Sequence, residues 1–408
     1  MTDSKELAEH FFRHSHAKLV AILVRYFGLK EVEIAEDIVQ DTLVEAMEKW
    51  SVQSIPHNPE GWLMDVAKKK TINFLERNQN YKNRILPGLK NRIELDFSPA
   101  EEKDSTLRMI FACCHPELPS ESQIALALKS LCGLSIVEIA DALLTNEANI
   151  NKRLYRAKQK FRDGSIRFQI PTGQVDMHLD TVLSTLYLLF NEGYYSSHHQ
   201  KIIRMDLCFE AIRLLKEVIE TYPDLSKAKA LLSLMYFSIA RFESRIDEHG
   251  ALIIFSEQDR SSWDQEFIAS GIDLLHQSTE ATHVSTYHLQ AGIAAEHCLA
   301  NDFDSTNWQS IYNQYCLLER LNGNVIISFN KAIARFYGDD KEKALADLLS
   351  MQNEPELKNS PHYFASLGIF YAQLKQNHKA NQFFEKALEL SKNQHEITSI
   401  KKRLALLK

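Results

Sequence analysis

Basic side chains are concentrated between residues 148 and 162, and their chemistry is the most readily named in this sequence. The segment "ANINKRLYRAKQKFR" holds six lysines and arginines and no acid, although the chain of 408 residues has a formal net charge of -7. Guanidinium groups donate as a fixed fork to guanine edges and phosphates, and ammonium groups act as point charges on phosphates. The segment therefore indicates an anionic partner. A solvated helix face is the alternative for a charge run taken alone.

Two short helices are expected to position these side chains. Ser135 and Glu138 form a capping box that predicts a helix start, and Asn146 can cap a second helix. Helical spacing predicts a buried face on this second helix, made of Ile150, Leu154, Ala157 and Phe161. The outward side carries the candidate DNA contacts Asn149, Lys152, Arg153, Arg156 and Lys160. This arrangement predicts a helix-turn-helix, whose second helix enters the major groove.

An acidic helix is predicted earlier in the chain, where residues 31 to 48 hold seven acids and no base. Its apolar stripe is expected to contain Ile34, Ile38, Leu43, Ala46 and Met47. Its surface is expected to carry Glu36, Asp37, Gln40 and Asp41. An acidic face repels phosphate and suits a basic protein partner. A solvated surface is the alternative for an acidic helix taken alone.

A lysine cluster follows the polar loop Ser51 to Pro59, on a helix predicted to begin near Glu60. The candidate phosphate contacts on this helix are Lys68, Lys69, Lys70, Asn73 and Arg77. Trp62 is a further candidate, because an aromatic ring can stack on an unpaired base. A core position is the alternative for Trp62, and the sequence favours it.

The stretch from "DSTLRMIFACCHPE" through "INKRLYRAKQKF" resembles region 4 of bacterial sigma factors of the extracytoplasmic-function type, and "EVEIAEDIVQDTLVEAMEKW" resembles part of region 2. The "CCHP" at Cys113 to Pro116 resembles the signature of one group with a long C-terminal extension. The resemblance implies that the region 4 residues read the -35 element and that the region 2 helix after the loop holds the opened -10 element. It also implies that the acidic helix docks on the β' clamp helices of core RNA polymerase, with the β subunit as a further contact.

Metal binding by the "CCHP" segment is the alternative to a packing role. Cys113, Cys114 and His115 lack tetrahedral spacing and a fourth ligand, so we expect packing, with no metal and no other cofactor. The six cysteines form no CxxC pair, which favours reduced thiols and a cytoplasmic protein. No apolar stretch is long enough to span a bilayer, so no membrane partner is expected.

Helical repeats are predicted towards the C-terminus. "YFASLGIFYAQLKQNHKANQFFEKALELSK" matches the tetratricopeptide pattern at Phe364, Leu367, Gly368, Tyr371, Ala380, Phe384 and Ala387. A second, less complete copy of the repeat has Ala332 and Ala344 at the same separation as Gly368 and Ala380. Such repeats make a concave surface for a peptide or protein ligand.

With only 13 glycines and 10 prolines, the chain is expected to be all-α. The predicted domains are region 2 at 1-79, a linker at 80-103, region 4 at 104-165, a short linker at 166-179 and a helical-repeat domain at 180-408. Residues 164-408 carry 24 basic and 30 acidic side chains, a net charge of -6. We expect this extension to regulate or support the sigma module, and a positive role is favoured.

Two rival functions remain open from the sequence. A helix-turn-helix transcriptional regulator with a repeat sensor domain explains residues 104-408 but leaves the region 2 segments unexplained. An enzyme is the other rival, and the nucleotide-binding, hydrolase and zinc-protease motifs sought in the sequence are absent. The sequence therefore predicts a sigma factor that is not an enzyme.

Overall fold

The computed structural model describes residues 2-52, 55-77, 99-143, 145-170, 175-194, 205-245, 253, 255-279, 283-338, 340-391 and 394-407. These ranges contain helices and no β-strand, so the predicted all-α class is confirmed. No helix in them is long and apolar enough to cross a membrane. The chain divides into two compact units, Met1–Thr221 and Tyr222–Lys408.

The described part of the first unit is built from nine α-helices. They are α1 (Thr2–Phe27), α2 (Val32–Val52), α3 (Pro59–Arg77), α4 (Pro99–Cys113), α5 (Ser120–Leu126), α6 (Ile136–Ala142), α7 (Glu147–Arg162), α8 (Val175–Tyr194) and α9 (Met205–Thr221). A π-helical turn, Ala127–Leu131, continues α5. Most of the predicted linker at 80-103 lies outside the described residues, and its last part begins α4.

Local capping explains where three of these helices begin. The Ser135 amide donates to Glu138 Oε2 over 2.8 Å, and the Glu138 amide donates to Ser135 Oγ over 3.2 Å, which confirms the capping box of α6. Asn146 Oδ1 accepts from the Asn149 amide over 2.9 Å at the start of α7. Asn58 Oδ1 accepts from the Gly61 amide over 3.0 Å, and α3 therefore starts at Pro59.

Helices α1, α2 and α3 pack together around the middle of α1, where Leu19 to Val24 are fully buried. Residues of α2 that face this core include Val32, Ala35, Val39, Thr42 and Ala46. Met47 was predicted to be buried, and that prediction is wrong because its side chain is 60% exposed. The buried side of α2 runs through Val39, Thr42 and Ala46, so the next residue along the helix turns towards solvent.

Helices α8 and α9 pack against each other and contact α4, and α8 also contacts α5. Their buried apolar residues include Val182, Leu183, Leu186, Phe190, Leu207, Leu214 and Leu215. Arg213 of α9 donates to the Leu131 carbonyl over 3.4 Å, and Lys103 of α4 pairs with Glu220. The repeat domain predicted at 180-408 includes α9 and most of α8, whereas by their contacts these helices belong to the first compact unit.

The described part of the second unit is a series of nine α-helices. They are α10 (Ser226–Ile239), α11 (Gln265–Ser278), α12 (Thr286–Leu299), α13 (Trp308–Asn322), α14 (Val325–Tyr337), α15 (Lys341–Ser350), α16 (Pro361–Gln373), α17 (Asn377–Leu390) and α18 (Gln394–Leu406). All seven residues of the predicted repeat match are buried in the α16–α17 hairpin. Gly368 is required there, because a Cβ atom would lie 2.7 Å from the ring of Phe384.

Candidate nucleic-acid and protein interface

Helix α7 has one buried face and one open face. Ile150, Leu154, Ala157 and Phe161 are all buried, as the sequence predicted. On the opposite side, Lys152 and Arg156 are exposed, and neither forms an ion pair with any described residue. Asn149 is exposed as well, and its side-chain amide donates to Thr145 Oγ1 over 3.0 Å. The open face therefore presents two unpaired cations and an amide group.

The other two predicted cations of α7 have acidic neighbours within the same unit. Arg153 lies 2.7 Å from Glu121 Oε2 of α5, and only 24% of its side chain is exposed. Lys160 Nζ lies 3.6 Å from Glu117 Oε2. Both acids are at least half exposed, so a DNA phosphate can compete for these cations at a modest cost. Arg153 is thereby held at the edge of the open face.

Tyr155 is a further candidate site residue, which the sequence patterns did not indicate. Its side chain is 61% exposed, and it lies on the open face three residues after Lys152. The guanidinium carbon of Arg162 sits 5.5 Å from the centre of its ring. The candidates predicted on this face are all polar, although an exposed aromatic ring beside cations suits contact with bases and sugars.

Helix α3 exposes a second set of polar side chains. Lys69, Asn73 and Arg77 are all exposed and follow each other at four-residue spacing, so they form one stripe with about 6 Å between successive positions. Lys70 is directed instead towards α2, where its Nζ lies 3.0 Å from Glu45 Oε2 and donates to the Asp41 carbonyl over 3.1 Å. The predicted cations are thus divided: Lys69 and Arg77 face solvent, whereas Lys70 contacts α2.

Trp62 lies against the aromatic side chains of α1 and α2. Its ring centre is 5.4 Å from that of Trp50, which in turn packs against Phe11 and Phe12. Lys49 Nζ lies 5.6 Å from the centre of the Trp62 ring. This half-buried position agrees with the packing interpretation of Trp62. Lys68, the remaining candidate of α3, is partly buried.

The acidic face of α2 is only partly open. Asp37, Gln40 and Asp41 are exposed, and Val44 joins them on the same face with 48% of its side chain exposed. Glu36 turns inward, with 13% of its side chain exposed, and its Oε2 lies 2.7 Å from Lys158 Nζ of α7. An apolar centre within a charged rim is typical of a protein-binding surface.

The "CCHP" segment faces the helices of the extension. Cys113 and Cys114 are fully buried, and burial raises the pKa of the Cys114 thiol to about 12, so the thiol stays protonated. The ring of His115 lies 5.0 Å from that of His178 in α8. The full burial of both thiols and the ring contact of His115 agree with a packing role.

Comparison with known families assigns three parts of the chain. Residues 11–81 match the model for sigma-70 region 2, and residues 108–161 match the model for sigma-70 region 4. Residues 178–279 match a family of unknown function, DUF6596. This third match begins in α8 and ends next to α11, so it includes helices of both compact units.

Two relatives show how far the similarity extends. The chain is 30% identical over 393 residues to uncharacterized protein R00370 of Rhizobium meliloti (strain 1021), which covers 94% of this chain and 91% of that protein. It is 27% identical over 143 residues to the ECF RNA polymerase sigma factor SigE of Mycolicibacterium smegmatis, which covers 34% of this chain and 55% of that protein. The second similarity is confined to about a third of the chain, whereas the first includes the C-terminal extension.

Proposed function

Because the chain belongs to the sigma-70 family, as an extracytoplasmic-function sigma factor with a long C-terminal extension, we propose that it binds core RNA polymerase in the cytoplasm and directs it to specific promoters. The observation that carries this proposal is the order of the two matched regions on one chain. A polymerase-binding and DNA-opening region precedes a helix-turn-helix whose open face is basic.

The -35 element is read by the open face of α7. Arg156 and Lys152 supply unpaired cations at its centre, with Tyr155 beside them, while Asn149, Arg153 and Lys160 lie at its edge. A guanidinium in the major groove can bind the O6 and N7 atoms of guanine, and each such contact discriminates by about 1–3 kcal/mol. Arg156 is therefore the leading candidate for base-specific recognition.

The opened -10 element is held along α3. Lys69, Asn73 and Arg77 form the exposed stripe that follows one strand, and they act through charge and hydrogen bonds to phosphates. Residues 55–58, which immediately precede α3, occupy the place of the base-capturing loop that the family uses. Lys70 and Trp62 contribute by shaping the α2–α3 surface.

The polymerase-binding face lies on α2. Asp37, Gln40 and Asp41 surround Val44, so a basic helical partner such as the β' clamp helices can pair with the rim and bury the centre. Glu36 belongs to this predicted face by sequence, but it is reachable only after its contact with Lys158 is broken. The β subunit is proposed as a second contact of the polymerase.

The extension supports the sigma module through α8 and α9. These helices cover apolar surface of α4 and α5, including the "CCHP" segment, so the first compact unit needs them to complete its core. The helical hairpins of the second unit offer a surface for a peptide or protein ligand that carries the signal. This arrangement favours a positive role for the extension over simple masking.

The alternative function is a helix-turn-helix regulator with a repeat sensor domain. It uses α6 and α7 equally well, but it gives no task to the acidic face of α2 or to the exposed stripe of α3. No catalytic family is matched, which disfavours an enzyme. Stable association with core polymerase separates the two functions, since a regulator of this kind need not bind the core.

In vitro transcription with core polymerase and a library of upstream sequences tests the proposal. We expect enrichment of promoters with one -35 and one -10 motif, and we expect Asp41→Lys to weaken binding to the core by at least about tenfold. Asp141→Lys is the matched control, because it makes the same charge change at an exposed position of α6. Absence of core binding by the unmodified protein would end the proposal.

A further inference from the structure

A cavity of about 490 Å³ opens in the second unit where α11 begins and α12 ends. This volume lies within the range of about 300–1,000 Å³ that is typical of small-molecule sites. The apolar side chains of Ile268, Ile272 and Leu299 form one part of its lining, and the polar side chains of Arg260 and Asn301 form another. The cavity therefore combines apolar surface with a few polar groups, as ligand sites do.

Arg260 is the one charged residue in the described lining of the cavity, and its guanidinium is fixed by the end of α12. Its Nη1 donates to the carbonyls of His297 and Ala300 over 2.9 Å and 3.0 Å, and its Nη2 donates to Thr306 Oγ1 over 3.0 Å. A guanidinium carries more N–H donors than these three hydrogen bonds use. Donors of Arg260 therefore remain for a further partner, and they include Nε, which forms no hydrogen bond with a described residue.

No carboxylate forms an ion pair with Arg260 in the part of the chain that the structure describes. Three acids adjoin lining residues in the sequence, and each accepts a hydrogen bond from a backbone amide of the turn that follows it; they are Asp259, Asp264 and Asp302. Burial lowers the pKa of the Arg260 guanidinium in spite of the nearby Asp302, because burial disfavours the charged form. A bound anion would therefore stabilise a charge that is held partly away from water.

Arg241 lies beside the same two aromatic rings as Arg260. Its guanidinium carbon is 4.7 Å from the centre of the Phe255 ring and 5.7 Å from that of the Trp263 ring. The corresponding distances for Arg260 are 5.7 Å and 5.2 Å. Cation–π contacts position the guanidiniums without neutralising them, since a ring carries no formal charge. Two cations around one pair of rings raise the local positive potential, which favours an anion.

A strongly exposed apolar side chain also lines the cavity. Leu299, the last residue of α12, is 63% exposed. The half-buried Ile272 and the buried Ile268 line the same cavity. An apolar ligand body would remove Leu299 and Ile272 from water, which is favourable. The lining as a whole suits a ligand with an anionic end and an apolar body.

We propose that this cavity binds a small amphipathic carboxylate, with the carboxylate on Arg260 and Asn301 and the apolar body on Ile272 and Leu299. A carboxylate can accept a fork of parallel hydrogen bonds from a guanidinium. The single cation in the lining matches the single charge of a carboxylate better than the higher charge of a phosphate. Asn301 is exposed, and its side-chain amide forms no hydrogen bond with a described residue, so it can donate to the same carboxylate. The inference goes beyond the proposed function and does not rest on it.

Isothermal titration calorimetry on the full-length protein tests the site, with octanoate as the probe. Octanamide has the same apolar body without the charge, and inorganic phosphate has charge without the apolar body. We expect octanoate to bind with a Kd of about 1 mM or lower, and at least about tenfold more tightly than either control. Absence of octanoate binding in this range would overturn the proposal. Equal binding of octanamide, or tighter binding of phosphate, would overturn it as well.

Opposite charges at position 301 test where the carboxylate lies. Asn301→Asp is expected to weaken octanoate binding by about five- to tenfold, because like charges near a protein surface repel each other. Asn301→Lys is expected to bind octanoate at least as tightly as the unmodified protein, and octanamide binding should change in neither variant. Asn322→Asp is the matched control, because it makes the same charge change at an exposed position of α13 outside the lining. Equal octanoate affinity of Asn301→Asp and Asn301→Lys would contradict the proposal.

Filling the cavity tests the binding of the apolar body. Ala269 lines the cavity and is exposed, so Ala269→Trp is expected to abolish detectable binding of both octanoate and octanamide. Ser270→Trp is the control, because it adds the same ring at the next exposed position of α11, which does not line the cavity. Arg260 is left unchanged in every variant because it also caps α12. An Ala269→Trp protein that is folded by circular dichroism and binds octanoate as the unmodified protein does would overturn the cavity as the binding site.

Discussion

Thr185 Oγ1 of α8 lies 3.2 Å from Gln123 Oε1 of α5, although the two residues are 62 positions apart. Gln123 Nε2 in turn donates to the His115 carbonyl over 2.9 Å, so a chain of buried polar groups links the "CCHP" segment to the extension. The "CCHP" segment, which resembles the signature of a group with long C-terminal extensions, thus packs against α8, the first helix of the extension.

Truncation at two positions tests this connection. A chain ending after Thr221 is expected to remain folded, whereas one ending before Val175 loses α8 and α9 and exposes the apolar surface that they cover. Thermal unfolding by circular dichroism and the soluble yield measure the difference. Equal stability of the two truncated proteins would show that α8 and α9 are dispensable for the sigma module.

Arginine substitutions in α7 test how the basic residues divide their work. Arg156→Ala is expected to reduce the binding free energy for promoters that carry the preferred base pair at one -35 position by about 1–3 kcal/mol. Promoters with another base pair at that position should lose less. Arg153→Ala is expected to have a smaller base-dependent effect, because Glu121 already holds its guanidinium.

Lys69→Ala is the control for these two variants, since loss of a phosphate contact weakens all promoters alike. Transcription from a set of single-base promoter variants measures each effect. Uniform losses in Arg156→Ala across all base pairs would contradict base recognition by Arg156.

A methyl group at Gly368 is expected to destabilise the second unit. The new Cβ atom would lie 2.7 Å from the Phe384 ring, and overpacking of this kind costs about 1–3 kcal/mol. The loss in the free energy of unfolding is measured by hydrogen exchange of the α16 and α17 amides at increasing denaturant concentration. Combining Gly368→Ala with Phe384→Leu should recover part of the stability, and no recovery would argue against this contact as the cause.

Acidification is expected to destabilise the second unit through His297. Burial, together with the nearby Arg241 and Arg260, lowers the pKa of His297 to about 3, and its Nδ1 has no hydrogen-bond partner among the described residues. Because the unfolded pKa is about 6.5, the neutral ring stabilises the fold above that pH. This contribution is lost as pH falls towards 3, by about 2 kcal/mol between pH 7 and pH 5.

Denaturant unfolding at pH 7 and pH 5 measures this dependence, and His297→Phe provides the control. The ring of His297 packs against Phe255 and Trp308, so an apolar ring suits the site. Between pH 7 and pH 5, the free energy of unfolding of the variant should fall by about 2 kcal/mol less than that of the unmodified protein. An unchanged pH dependence in the variant would assign the effect to other groups.

The sequence by itself determined the all-α class, the caps of α6 and α7 and the buried face of α7. Ser135 and Glu138 cap α6 as predicted, and Ile150 and Phe161 are buried as predicted, because capping and helical periodicity depend on residues only a few positions apart. It also determined the family, since two recognisable regions stand in the right order.

Only the tertiary structure decided which charges and surfaces are free. Glu36 and Asp37 are adjacent in the sequence, and both carry a carboxylate. Packing of α7 against α2 buries Glu36, which pairs with Lys158, whereas Asp37 stays exposed to solvent. Likewise, α8 reads as part of a repeat domain but completes the core of the sigma module. Contacts between residues more than 60 positions apart depend on how whole helices pack. The spacing of residues within one helix does not specify that packing.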